Sequence, residues 1–194
     1  MPRLKAPQRR EQLMEVATKL FAKHGYEATT TAAIAEAAGV TEPILYRHFK
    51  NKQELFVAIV RQMSDQTMHH WHELVEGAPD ATERIRRIAE AFPGHVQKLA
   101  DAYHVLHGAL STSRDAKVLK VMREHYQQIE DFFVGVVREG QQAGLFRKDM
   151  DARVPAWQLI NLGIGHAMVS LNLSQFEQPL IAQAIEFVLR GLKD

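Results

Sequence analysis

Apolar residues recur at three- and four-residue spacing along almost the whole of this chain, and no stretch alternates in a way that reads as a strand. Leu13, Val16, Ala17, Leu20 and Phe21 form one such stripe; Leu55, Phe56, Ile59, Val60 and Met63 form another. A helix returns a side chain to the same face every 3.6 residues or so, and that face must be covered by another helix. The pattern therefore predicts an all-α protein of about nine helices. Local punctuation sets their ends. Gly25 is expected to close the first stripe as a left-handed cap, and Asn51, with Glu54 three residues on, to open the second. Asp80 with Glu83 marks another start. The helix it opens should break or kink at Pro93-Gly94, because proline brings no amide and crowds the preceding turn. A long helix follows Ser113 through Val118, Met122, Tyr126, Ile129, Phe133 and Val137 and stops near Gly144; segments from Asp151 to Leu173 and from Glu177 to Leu192 complete the count.

Charge is distributed unevenly along this pattern. The net charge of +1 conceals nine Lys/Arg against five acids in residues 1–52, and 15 against 18 in the remainder. A basic N-terminal quarter on an acidic remainder points to a polyanion partner for that quarter alone. The first ten residues, MPRLKAPQRR, read as a mobile basic arm. With no cysteine, the chain has no disulfide, zinc thiolate or thiol redox chemistry. Residues 1–12 lack the apolar core of a signal peptide, and the apolar-rich run at 154–171 is interrupted by Gln158, Asn161, His166 and two glycines. The expectation is a cytoplasmic protein that does not span a membrane. The sequence has no GxSxG, phosphate-binding glycine loop or HExxH, so neither catalytic residues nor a cofactor are expected.

Between residues 8 and 50 lie three short helical segments, the second and third joined by Ala38-Gly39-Val40-Thr41. That is helix-turn-helix punctuation. Gly39 supplies the positive φ of a tight turn, and the small Ala35 suits a close helix crossing. Ile34, Val40 and Leu45 fall where a three-helix core needs apolar side chains, with Phe49 beside them and Tyr46 on the outside. Thr41 stands where it could cap a third helix over about residues 42–48, and Pro43 is tolerated because first-turn amides have no acceptor within the helix. Two turns of helix suit a major groove about 12 Å wide.

The run IAEAAGVTEPILYRHFKNKQEL resembles the TetR-type repressors, whose signature combines Ala-Gly-Val, Leu-Tyr-x-His-Phe, and Lys before an acid and Leu. The likeness is specific over residues 10–56 and only architectural beyond them. It implies a DNA-binding domain at residues 1–52, with the basic arm at 1–10, and a ligand-binding and dimerisation domain at 53–194. It also implies that Thr31 and Tyr46 bond phosphates, that His48 and Lys52 grip the backbone, and that Thr41, Glu42, Pro43 and Ile44 face base edges. The residue chemistry agrees, since hydroxyls, imidazoles and ammonium groups all donate to phosphate oxygens. Glu42 is the odd member. It has two readings: a first-turn carboxylate favoured by the helix dipole, or an acceptor for the cytosine amino group. Under either one it repels phosphate.

The remaining residues suggest a sensor. The segment DARVPAWQLINLGIGHAMVSLNL is apolar nearly all round, so it must bury two faces. The resemblance implies a homodimer formed by the last two helices, with Ile181, Ile185, Val188, Leu189 and Leu192 as the stripe on the final one. Two such copies would bind double-stranded operator DNA at half-sites one or more turns apart. Candidates to line a small hydrophobic effector are Phe92, His95, Leu99, Tyr103, His107, Met122, Tyr126, Ile129, Phe133, Trp157, Asn161, Met168 and His166. Of these, His107, Tyr126, Asn161 and His166 are polar groups among apolar neighbours, which a ligand could satisfy. With no uncompensated basic cluster here, a neutral or cationic lipophile is favoured over a polyanion. His69, His70 and His72, and Asp101, His104 and His107, have spacings that metals use, but no fourth ligand accompanies them, and no metal is expected. The competing reading is an all-helical metal- or ligand-binding protein, or an enzyme, that keeps the helix-turn-helix for structure.

Overall fold

The computed structural model describes residues 5–173 and 179–193. Among them the chain forms nine α-helices and no strand: α1 (Ala6–His24), α2 (Thr31–Ala37), α3 (Glu42–Tyr46), α4 (Lys52–Val75), α5 (Ala81–Lys98), α6 (Ala100–Thr112), α7 (Ala116–Gln142), α8 (Arg153–Asn172) and α9 (Pro179–Gly191). The expected start of the last helix at Glu177 lies outside the described residues. The helices gather into two compact units, Met1–Ser64 with Asp101–Glu124, and Asp65–Ala100 with His125–Asp194; α4 and α7 each contribute to both.

In the first unit, Leu13, Ala17, Phe21, Ile34, Leu45, Phe49, Leu55 and Phe56 are each no more than 2% exposed. The rings of Phe21, Tyr26 and Phe56 pack on one another with centroids 4.9 to 6.2 Å apart. Such tilted and edge-on pairs stabilise beyond the area they bury. In the second unit α5, α8 and α9 pack against one another, and Trp71 packs on Phe132 and Phe133 at 5.5 and 5.2 Å. Gly163 lets Phe92 approach α8, because a Cβ there would stand 3.3 Å from the Phe92 ring. Arg86 on α5 grips Glu186 on α9 through two hydrogen bonds of 2.5 and 3.1 Å. Arg84 reaches Glu139, and Arg153 reaches the buried Glu130 at 2.7 Å.

Two expected helix starts are present as read. Glu83 N donates to Asp80 Oδ1 at 2.9 Å, and Glu54 N to Asn51 Oδ1 at 2.8 Å. Glu54 also reaches back to accept at 2.9 Å from the amide of Lys50, one residue before the cap, so a second donor at this end is satisfied. Elsewhere the structure corrects the expectation. Residues 6–10 are not arm but the first turns of α1, which Pro7 enters without loss because amides there lack a helical acceptor. Gly25 does end α1, but at φ 82°, ψ 157°, which is not the left-handed helical cap. Thr41 sits at the start of α3 without a capping hydrogen bond from its side chain. The helix α5 runs through Pro93 to Lys98 and is interrupted only at Leu99. Proline forfeits one intrahelical bond there, while Phe92, Pro93 and Val96 stay buried on the apolar face. The long helix starts at Ala116, where Asp115 Oδ1 accepts from Lys117 N and Val118 N at 2.8 and 3.2 Å.

Asp80→Ala removes the acceptor for the Glu83 amide without touching the core. It should cost about 1 kcal/mol of stability, read as a lower urea midpoint at unchanged slope.

Candidate functional site

The helix-turn-helix is built from backbone outward. Val40 N donates to Ala35 O and Gly39 N to Glu36 O, both at 2.9 Å, with Gly39 at φ 65°. The side chain of Gln12 on α1 donates to Ala38 O at 3.3 Å, tying the turn to the first helix. Thr30 caps α2 by accepting from Ala33 N at 3.1 Å. Ala35 is 2% exposed, which is why a small residue stands there. Ile34 and Leu45 are fully buried and Val40 half-buried. Of the two aromatic neighbours, Phe49 is 1% exposed and Tyr46 is 46% exposed, as the sequence suggests. Arg10 lies over the Phe49 ring at 4.6 Å, a contact with no sequence signal because it joins residues far apart in the chain.

On the outer side, Thr41 and Pro43 are exposed and Ile44 half-exposed. Thr31, Glu42 and Tyr46 meet: Thr31 Oγ1 donates to Glu42 Oε1 at 2.7 Å and lies 3.0 Å from Tyr46 Oη. Glu42 and Tyr46 are four residues apart on α3 and so share a face, while Thr31 opens α2. Lys52 is engaged elsewhere, donating to Tyr26 O at 2.7 Å and Glu27 O at 3.2 Å with its ammonium 4.5 Å over the Tyr26 ring. An ammonium has three donors, so one remains for an incoming anion. Partial burial, and then Arg47, Arg10 and Arg9, lower the His48 pKa below its ordinary value. Arg9 is turned toward Gln12 Oε1 at 2.5 Å, and Arg3 is outside the described residues.

The effector candidates divide between the two units. Tyr103, His107 and Met122 belong to the first, where Tyr103 and His107 pack with centroids 5.9 Å apart. Burial, then His104, lowers the His107 pKa. In the second unit, Phe92 lies 6.1 Å from His166, whose pKa burial lowers. Ile129 and Phe133 are buried, Trp157 is half-buried, and Asn161 and Met168 stand on the exposed side of α8. The Tyr126 hydroxyl is buried with no hydrogen-bond partner among the described residues, and burial pushes its pKa up to about 12. His95 and Leu99 border a groove of about 530 Å³ between α4 and α5, with His69, His70 and Lys98 also on its walls. His95 Nε2 is 3.0 Å from Thr67 Oγ1, and its ring stacks on His70 at 5.1 Å. The clustered histidines thus diverge. His70 faces His95, His69 meets Glu73 at 3.3 Å, and His72 packs edge-on to Phe132. Among the described residues no three His, Asp or Glu side chains converge to hold a metal, and no helix is long and apolar enough to cross a membrane.

Residues 13–59 match the family described as bacterial regulatory proteins, tetR family. The chain is 32% identical over 104 residues to the transcriptional activator FasR of Mycolicibacterium smegmatis, a match covering 54% of this chain and 48% of FasR. It is 29% identical to the transcriptional repressor KstR2 of Rhodococcus jostii over 153 residues, 75% of this chain and 72% of that protein. The fold matches the fatty acid degradation regulator FadR from Bacillus halodurans with a TM-score of 0.79 at 18% identity, covering 94% of this chain and 98% of that one.

Burial of His95, with His70 and Lys98 nearby, lowers its pKa to about 4. An unfolded imidazole protonates near pH 6.5, so between the two values the unfolded chain binds more protons. The stability contributed by neutral His95 is therefore complete above about pH 6.5 and lost as pH falls toward 4, at up to about 1.4 kcal/mol per unit. Urea unfolding followed across that window should show the slope, and His95→Gln should flatten it.

Proposed function

Residues 13–59 of this chain belong to the tetR family of bacterial regulatory proteins, and from that premise we propose a homodimeric, ligand-responsive transcriptional regulator that represses from a palindromic operator. The observation that carries the reading is the two-sided character of the segment around α3. Leu45 and Phe49 are buried, while Thr41, Pro43 and Tyr46 are exposed beside them, so one side is anchored and the other offers donors and small apolar contacts to a groove. In this reading Thr31, Tyr46, His48 and Lys52 contact the phosphate backbone, and Thr41, Glu42, Pro43 and Ile44 face base edges. Residues 1–52 bind DNA, and residues 53–194 sense the effector and dimerise.

Exposed apolar side chains support the dimer. Val154 and Met168 on α8 and Leu180 and Phe187 on α9 are 46 to 80% exposed, with Phe187 the most exposed. A second copy applying the same two helices would cover them, which is the self-complementary geometry of a two-fold interface. Support for a small hydrophobic effector comes from the buried Tyr126 hydroxyl, which a ligand's polar group could satisfy, and from relatives whose names refer to fatty acid and ketosteroid regulation. Induction requires that the effector prefer the state in which the recognition helices do not match the operator; equal affinity for both states shifts nothing.

A nuclease footprint on the DNA flanking the gene tests the reading. A protected palindrome is expected, with affinity falling steeply as salt rises. Tyr46→Phe combined with Lys52→Ala should weaken binding by tenfold or more, on the order of the loss of one or two charge-assisted contacts, while the dimer persists. DNA binding that ignores salt, or that survives both substitutions unchanged, contradicts it. Phe187→Glu should convert the dimer to monomer in sedimentation and abolish the footprint together with it.

A further inference from the structure

We propose that Glu42, Thr31 and Tyr46 form a latch that makes phosphate contact conditional on base contact. The proposal rests on the DNA-binding reading above. An ionised carboxylate only accepts hydrogen bonds, so it sets the direction of the whole chain. Thr31 commits its single hydroxyl proton to Glu42 Oε1 at 2.7 Å, and Tyr46, 3.0 Å from Thr31 Oγ1, is left to donate to Thr31. Both hydroxyl protons then point inward. A phosphate oxygen approaching this surface needs donors, yet it meets two sets of lone pairs and a negative charge.

The latch opens when another donor takes the place of the Thr31 hydroxyl on Glu42 Oε1 and draws the carboxylate away from it. In the major groove that group is an exocyclic base amino group, of which cytosine N4 is the established partner for Glu. Once Glu42 accepts from the base, the Thr31 proton is free: either Thr31 turns it to a phosphate while still accepting from Tyr46, or Thr31 donates it to Tyr46 Oη and the phenol donates to the phosphate. Random sequence without the amino group in register leaves the latch shut and the phosphate contacts unmade. Glu42 is thus a specificity-determining residue that acts through two hydroxyls, beyond its direct repulsion of phosphate.

The test is a mutant cycle on a random-sequence duplex, with affinity read by fluorescence anisotropy at several salt concentrations and folding of each variant checked by circular dichroism. Glu42→Ala should raise random-sequence affinity about tenfold, the size of one charge-assisted hydrogen bond. The same substitution made in a Thr31→Val, Tyr46→Phe background should raise it only about twofold, the part owed to relieved charge repulsion, because the hydroxyls it would release are gone. Thr31→Ser, which keeps the hydroxyl, should preserve the full effect of Glu42→Ala. An undiminished rise in the double background would show that Glu42 acts by repulsion alone and would overturn the latch, as would no rise in the otherwise unaltered chain. Failure of the unaltered protein to bind any duplex overturns the DNA reading and the latch with it, an outcome distinct from binding without coupling.

Discussion

A helix of five residues does not hold itself together in water, since nucleation consumes more conformational freedom than so few hydrogen bonds return. The third helix therefore exists because Leu45, and Phe49 just beyond it, are buried, with α3 packed on α2 and Arg10 of α1 lying over the Phe49 ring. The turn before it is held by backbone bonds from Gly39 and Val40 and by Gln12 reaching across from α1. The outward placement of Thr41, Pro43, Ile44 and Tyr46 depends on that anchoring. Their exposure has meaning only if the other side of the segment is fixed.

Under the proposed DNA-binding reading, the surface around α3 must keep strong donors in water and still ready for use. It keeps several of them occupied internally. The Lys52 ammonium rests on two carbonyls and the Tyr26 ring, Arg10 lies over Phe49, and Thr31 and Tyr46 are tied to Glu42. Such contacts hold long side chains in defined positions, and an incoming phosphate must compete with each of them. In that reading, internal satisfaction lowers affinity for DNA in general while leaving room for discrimination among sequences.

The larger unit manages buried polar groups in a different way. Thr67 answers His95, and Arg153 answers Glu130, so these groups are paired within the protein. The Tyr126 hydroxyl, like Arg84 Nε, is buried without a partner among the described residues, but unlike Arg84, which reaches Glu139 through Nη1, Tyr126 has no second polar side-chain atom to pair. A buried polar group without a partner costs folding free energy, which is why the proposed effector is placed against it.

What the sequence by itself determined lies within a few residues of each signal. The all-helical class follows from spacing, the Asp80 and Asn51 caps from hydrogen bonds three residues long, the Gly39 turn from one φ angle, and the split between Phe49 and Tyr46 from helical phase. Only the tertiary structure decided the rest. It carried α5 through Pro93 because burial of that face outweighed one missing bond, and it turned Asn161 and Met168 outward on a helix whose apolar residues surround it. It joined Thr31 to Glu42 and Tyr46, and Lys52 to Tyr26, across 11 to 26 residues. Periodicity fixes which face a residue shares with its neighbours along the helix, but it carries no record of what will pack against that face.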